Sequence, residues 1–230
     1  MYDPAYIDRR ALERTAMALE EINNEVVYVG GAVTGLYVND PAAEPPRPTR
    51  DIDITIQVSS YAQMDRLREK LAEKRIFPAS GEKVLFRYVF EDILIDFIPW
   101  EETPLGPANR WLKKGFEWAY PVSVGKKEIK ILPAPYFLAS KWEAFRHRGD
   151  DPRTSPDLED ILYVIDHRPG LPDDINLSEE DVKNFLAEMG RELLSHEYRD
   201  EIIECHLDPF HSADRKKYVL DVLQKISDLT

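Results

Sequence analysis

The chain has 230 residues, with 43 acidic and 30 basic side chains, a net charge of −13, and a composition that is 43% hydrophobic. That apolar share supports a packed core and is too high for a disordered chain, while the longest apolar runs fall well short of the ~20 residues a membrane helix needs. The acid excess excludes a protein that coats nucleic acid indiscriminately, because such binding depends on Lys and Arg neutralising phosphates.

The charge is uneven: residues 151–230 carry 20 acidic and 9 basic side chains, a net of −11, which leaves −2 for residues 1–150. A basic cleft therefore remains open to the first 150 residues. The single cysteine, Cys205, excludes an internal disulfide framework or a Cys-rich zinc site and suits a reducing compartment. The first residues carry no secretory pattern, so a cytoplasmic location is expected.

Apolar residues at Ile7, Leu12, Ala16, Leu19 and Ile22 repeat with helical spacing over 7–22. A β-branched run over 25–29 stops at Gly30-Gly31, and residues 32–38 read as a short helix. Pro41, Pro45, Pro46 and Pro48 make 39–50 a loop, expected to be exposed and mobile. Strict alternation over 51–58 puts Ile52, Ile54, Ile56 and Val58 on one strand face.

Ser59 and Ser60 read as an N-cap for a helix over 61–74. Strands are predicted at 83–90 and 92–98, joined as a hairpin at Glu91-Asp92, and a second hairpin at 120–124 and 128–132. From Pro133 onward the pattern is helical, with helices predicted at 134–147, 156–167, 178–189, 191–206 and 213–228, and capping-box spacing at Ser178 and Asp181. The fold class is α/β (α+β): a mixed sheet flanked by helices in an N-terminal domain over 1–132, then a helical domain over 133–230.

The chemistry concentrates in three carboxylates. Asp51 and Asp53 are two apart on a predicted strand and so share a face, where like charges require a cation between them. At a strand start, Mg²⁺ is the natural choice because it favours oxygen ligands. Asp96 interrupts an apolar strand, where an unpaired carboxylate is costly. A strand paired with 51–58 brings it to the same metals, and the alternative is a buried, hydrogen-bonded structural acid.

Gly30-Gly31, between a strand and a helix, lets backbone N–H groups approach phosphate oxygens. Divalent ions on such acids suit phosphoryl transfer. Neither a dinucleotide-binding glycine motif nor a P-loop occurs, and the five histidines have no metal-binding spacing. The Trp and Tyr residues of 100–120 read more readily as core than as a base-stacking platform.

Gly-Gly, a spacer, Asp-x-Asp among apolar residues and a later strand Asp resemble the polymerase-β-like nucleotidyltransferase superfamily over residues 25–98. Lys141, Ala144 and Arg146, followed by Asp157-x-x-Asp160-Ile161, are similar to later motifs of the AbiEii-type nucleotidyltransferases, toxins of bacterial toxin–antitoxin systems. Thr49-Arg50 before Asp51 also suits that group. Here Ala32-Val33 stand between the glycine pair and Thr34, where the group usually has a hydroxyl at once.

The resemblance implies metal-binding roles for Asp51 and Asp53, with Asp96 as the superfamily's third carboxylate. It implies nucleotide contacts from Gly30, Gly31, Thr34, Arg50 and Lys141, and a downstream acid at Asp157 or Asp160, of which Asp160 is preferred for the apolar run after it. Arg146 or Arg148 is expected to pair with one of those acids. The implied activity is transfer of an NMP from an NTP, with Mg²⁺ or Mn²⁺, to an acceptor hydroxyl with release of pyrophosphate. The acceptor (tRNA, protein or small molecule) is open, and an antitoxin protein is an expected partner. Two alternatives stand beside it: an aminoglycoside-type antibiotic nucleotidyltransferase, and a non-catalytic nucleotide-binding or interaction module.

Overall fold

The computed structural model describes residues 6–58, 60–79, 86–100, 109–208 and 212–230. The chain forms two compact units, Met1–Val33 with Pro48–Pro133, and Thr34–Arg47 with Ala134–Thr230. No helix among the described residues is long and apolar enough to cross a membrane.

The first unit is built on a mixed seven-stranded sheet, as the α/β reading requires. Its strands are β1 (Val26–Val29), β2 (Asp51–Ile56), β3 (Phe77–Pro78), β4 (Arg87–Phe90), β5 (Ile93–Pro99), β6 (Tyr120–Val124) and β7 (Lys127–Ile131), in the order β3-β4-β5-β2-β1-β7-β6. β2 runs parallel to β5 and β1 parallel to β7, and the remaining neighbours are antiparallel.

Register explains the core. Tyr88, Ile95 and Ile52 lie opposite one another across β4, β5 and β2, and Phe97, Ile54 and Tyr28 across β5, β2 and β1. All six are buried. The hydroxyl of Tyr28 donates to Asn23 Oδ1 at 2.9 Å, so burial of that ring leaves no polar atom stranded. Helices α1 (Arg9–Leu19) and α2 (Tyr61–Glu73) begin at Asp8 and Ser60, whose side chains accept from Ala11 N and Gln63 N.

Sequence periodicity missed the two-residue β3 and helix α3 (Arg110–Phe116), both too short to show a period. Trp100 and Trp111 are buried, in keeping with the core reading, whereas Trp118 is 57% exposed and departs from it. Ser59 and the predicted start of the 83–90 strand lie outside the described residues.

The second unit is helical: α4 (Ala134–Arg148), α5 (Pro156–His167), α6 (Leu171–Asn176), α7 (Glu180–Ser195), α8 (Arg199–Cys205) and α9 (Ser212–Ser227). Two expectations fail here. Residues 191–206 are not one helix, because α7 runs through Gly190 to Ser195 and breaks at His196. That glycine serves a close helix crossing: a Cβ on it would lie 3.1 Å from the Leu223 carbonyl and 3.2 Å from the Ser227 nitrogen, both on α9. The capping box also does not form. Ser178 Oγ donates back to the Ile175 carbonyl at 2.6 Å and the Asp181 side chain accepts from Val182 N, so α7 starts without a side-chain cap.

The proline-rich loop over 39–50 has no regular structure beyond a turn, as expected, but the segment over 34–47 that overlaps it is pinned to this unit. The Tyr37 ring stacks on Phe137 with centroids 4.3 Å apart, and the Tyr37 carbonyl accepts from Arg168 at 2.6 Å. Asn39 N and Asp40 N donate to the His167 carbonyl, and Tyr163 Oη donates to the Glu44 carbonyl at 2.7 Å. Polar anchors at spaced points hold a segment that has no apolar periodicity of its own.

Asp40 is one of those anchors. The Ala42 amide, His167 and Arg215 together hold its carboxyl below the usual carboxylate range. A depressed acid stabilises the fold fully above its ordinary pKa of ~3.9, and that contribution disappears as pH falls through the lower folded value. Asp40→Asn is therefore expected to lower Tm at neutral pH and to flatten the acid limb of the pH–Tm profile below about pH 4. Parallel wild-type and variant profiles would contradict the role given to Asp40.

Candidate active site

Strand pairing assembles the site from residues far apart in sequence. Asp53 lies opposite Val29 of β1 and opposite Asp96 of β5, and Asp96 in turn lies opposite Arg87 of β4. Residues directly opposite share a face, so Asp53, Asp96 and Arg87 form one row across three strands, with Asp51 two residues along β2 on the same side. The opposite face of these strands is the apolar core. The predicted juxtaposition of Asp51, Asp53 and Asp96 is thus present in the sheet.

Arg87 is the residue that sequence reasoning overlooked. Its Nε donates to Asp96 Oδ1 at 2.8 Å and a terminal nitrogen to Asp96 Oδ2 at 2.7 Å, a two-pronged pairing. The same terminal nitrogen reaches Asp51 Oδ2 at 3.0 Å. Asp51 Oδ1 accepts from the Thr49 hydroxyl at 3.1 Å. Asp51 keeps 32% of its side-chain surface exposed, against 13% for Asp96 and 18% for Arg87. A basic residue alternating into an apolar strand, beside a strand carrying an equally isolated Asp, was the signal available.

The Gly-Gly turn fits against Asp53. Gly30 has φ +70°, and a Cβ there would sit 1.9 Å from Asp53 Oδ2. Only glycine meets both the left-handed backbone and that contact. Gly31 opens a short 3-10 helix over Gly31–Leu36, tighter and shorter than the helix expected at 32–38. Arg50 is exposed, with its guanidinium 5.2 Å from the centre of the Tyr6 ring. Thr34 belongs to the second unit, where its side chain is fully buried.

Lys141 and Asp160 also belong to the second unit, within a buried ion network. Lys141 Nζ lies 3.0 Å from Asp157 Oδ1 and 2.6 Å from Asp160 Oδ2. Asp160 receives Arg47 Nε and a terminal nitrogen at 3.0 Å each, and Arg148 pairs with Asp157 as expected of Arg146 or Arg148. Asp157 and Asp160 are 2% and 1% exposed. Burial alone would lower the Arg47 pKa, but the Asp160 carboxylate outweighs it and holds the guanidinium above its ordinary value. The Lys141 ammonium is thus committed to carboxylates, and contact with a phosphate would require it to exchange them.

A divalent ion fits the β2 acids on the chemistry of the donors. They are hard oxygens on one face, in a field that already holds a guanidinium. Among the described residues no three Asp, Glu, His or Cys side chains group as a ready-made metal cage. Mg²⁺ does not require one, because it is commonly held by one or two carboxylates and completed by substrate phosphates. Asp51 and Asp53 suit that pattern, while both oxygens of Asp96 are taken by Arg87.

The fold of this chain has a counterpart among solved structures. An antigenic nucleotidyltransferase-like protein from Paracoccidioides brasiliensis superposes with a TM-score of 0.53 at 16% identity, over 86% of this chain and 94% of that one. JHP933 from Helicobacter pylori gives a TM-score of 0.45 at 11% identity, over 96% and 93%. No curated protein is significantly similar to the chain. The sequence pattern of the nucleotidyl transferase AbiEii toxin family, of type IV toxin–antitoxin systems, matches residues 29–226, and the chain belongs to that family. It is a nucleotidyltransferase.

Gly30→Ala is expected to cost ~1–2 kcal/mol in backbone strain alone and to displace the Asp53 carboxylate. It should lower Tm by several degrees and abolish transfer of label from NTP, and a wild-type Tm would contradict the packing of Gly30 on Asp53. Lys141→Met breaks a buried ion network and is expected to cost about 3–5 kcal/mol in chemical denaturation. A loss below ~0.5 kcal/mol, the level of an ordinary surface substitution, would contradict the buried role.

Proposed function

We propose that the chain transfers an NMP unit from an NTP to an acceptor hydroxyl, releasing pyrophosphate, and that Asp51 and Asp53 hold the Mg²⁺ or Mn²⁺ this requires. The observation that carries this is the pair of carboxylates on one face of β2, with Asp53 seated against a glycine that admits no side chain. When bound, the divalent ion supplies charge neutralisation for the triphosphate and the departing pyrophosphate.

The chain's own residues set the geometry. Ile52 and Ile54 bury one face of β2 and so direct Asp51 and Asp53 to the other. The Thr49 hydroxyl orients Asp51, and the Gly30-Gly31 turn leaves room for phosphate oxygens to approach the backbone. In this reading the protein is the toxin of a two-component system, with an antitoxin as its partner.

A small cationic acceptor is a second reading, favoured by a cavity of about 480 Å³ in the second unit whose lining includes Glu44, Glu159, Asp208 and Asp214. Growth arrest on expression supports the toxin, and antibiotic resistance supports the small-molecule enzyme.

Asp51→Ala is expected to reduce transfer of α-³²P label from each NTP, in Mg²⁺ or Mn²⁺, by at least ~10³-fold, the scale of losing a group that stabilises transition-state charge. Folding should survive, since the substitution also relieves like-charge repulsion with Asp53. Wild-type transfer by Asp51→Ala would overturn the assignment.

A further inference from the structure

We infer that Arg87 is the site's internal counter-cation: it satisfies Asp51 and Asp96 before any metal arrives, and so makes divalent-ion loading depend on the nucleotide. This rests on Asp51 and Asp53 being the metal-holding pair and adds a residue that governs when they are filled. Three carboxylates stand on one sheet face, and although they do not group as a ready-made cage, their summed negative charge would draw a bare divalent ion. Arg87 changes that balance. Its guanidinium is anchored on both oxygens of Asp96 and spans to Asp51, so a fixed positive charge stands where a bare ion would otherwise be drawn.

The anchor is built into the fold. Arg87 and Asp96 are directly opposite in the β4–β5 ladder, and 82% and 87% of their side-chain surfaces are covered. The hold on Asp51 is weaker, a single bond at 3.0 Å to the more exposed carboxylate. Asp51 is therefore the partner that Arg87 can release, and Asp96 the one it keeps. A bare ion must displace the guanidinium and meets its repulsion with only two carboxylates to offset it. An ion arriving on a triphosphate brings its own anionic oxygens, which offset the repulsion from the guanidinium that a bare ion would meet. Arg87 is thus a positioning residue that acts through the two aspartates.

The test reads metal binding, not turnover. Mn²⁺ is titrated into the folded protein and followed by electron paramagnetic resonance and by calorimetry, alone and with a non-hydrolysable NTP analogue. The wild type is expected to show no saturable Mn²⁺ binding below millimolar concentration on its own, and clear binding with the analogue. Arg87→Gln frees Asp51 and Asp96 and is expected to bind Mn²⁺ alone at least ~10-fold more tightly than wild type, the scale of removing one nearby like charge. Added Mn²⁺ should raise the Tm of this variant but not of wild type. Arg87→Gln/Asp96→Asn should lose the gain.

Micromolar Mn²⁺ binding by the wild type without nucleotide overturns the inference, whatever the variants do, and leaves the transfer activity standing. Unchanged Mn²⁺ affinity in Arg87→Gln also overturns it. Failure of the wild type to bind Mn²⁺ even with the NTP analogue instead removes the reading of Asp51 and Asp53 on which it depends.

Discussion

Like charge packed on one face of a sheet is the constraint around which the first unit is organised. Asp51 and Asp53 stand two residues apart on β2, and β5 brings a third carboxylate level with Asp53. In water such a row would cost little, but here the other side of the same strands is a sealed apolar core. The chain answers with Arg87, placed by the next ladder opposite Asp96. A guanidinium with a two-pronged hold on one carboxylate and a single bond to another offsets one of the row's three charges without closing it. Asp53 lies against Gly30 at the other end of the row, beside the turn after β1. Fold and chemistry meet in the register of four strands.

The second unit solves a similar problem by burial. Its ion network joins α4, α5 and the 34–47 segment through Lys141, Arg148 and Arg47 on two nearly inaccessible aspartates. Breaking one partner of such a network is costly, whereas an exposed pair would contribute little. The Asp40, Asp166, His167 and Arg215 cluster fixes the same segment further along. A proline-rich stretch with no periodicity of its own is held by charge and by stacking on Phe137, and it needs no helix or strand to be ordered.

The architecture was legible wherever alternation was long enough to carry a period. β2, β5 and α5 were read within a residue or two because their apolar spacing reports the face they bury, and α4 equally closely although its residues 134–142 are all buried. The juxtaposition of Asp96 with the β2 acids was also legible, since a lone acid in an apolar strand demands a partner. What the partner would be was not. Sequence gave a reason to expect a cation and pointed to a metal, while the strand register placed Arg87 there. Lys141 read as a phosphate ligand, because nothing in a linear sequence shows that two aspartates 16 and 19 residues later close over it. Gly190 read as a helix end for the same reason: the close approach of α9 that requires it is a tertiary fact.

Where a divalent ion binds when nucleotide is present decides the roles of these acids. Crystals grown with Mn²⁺ and a non-hydrolysable NTP analogue allow the ion to be located by its anomalous scattering. The expected result is a peak within bonding distance of the Asp51 and Asp53 carboxylates, next to the triphosphate, with Arg87 still paired to Asp96. A peak coordinated by Asp96 with Arg87 turned away, or one remote from β2, would contradict it.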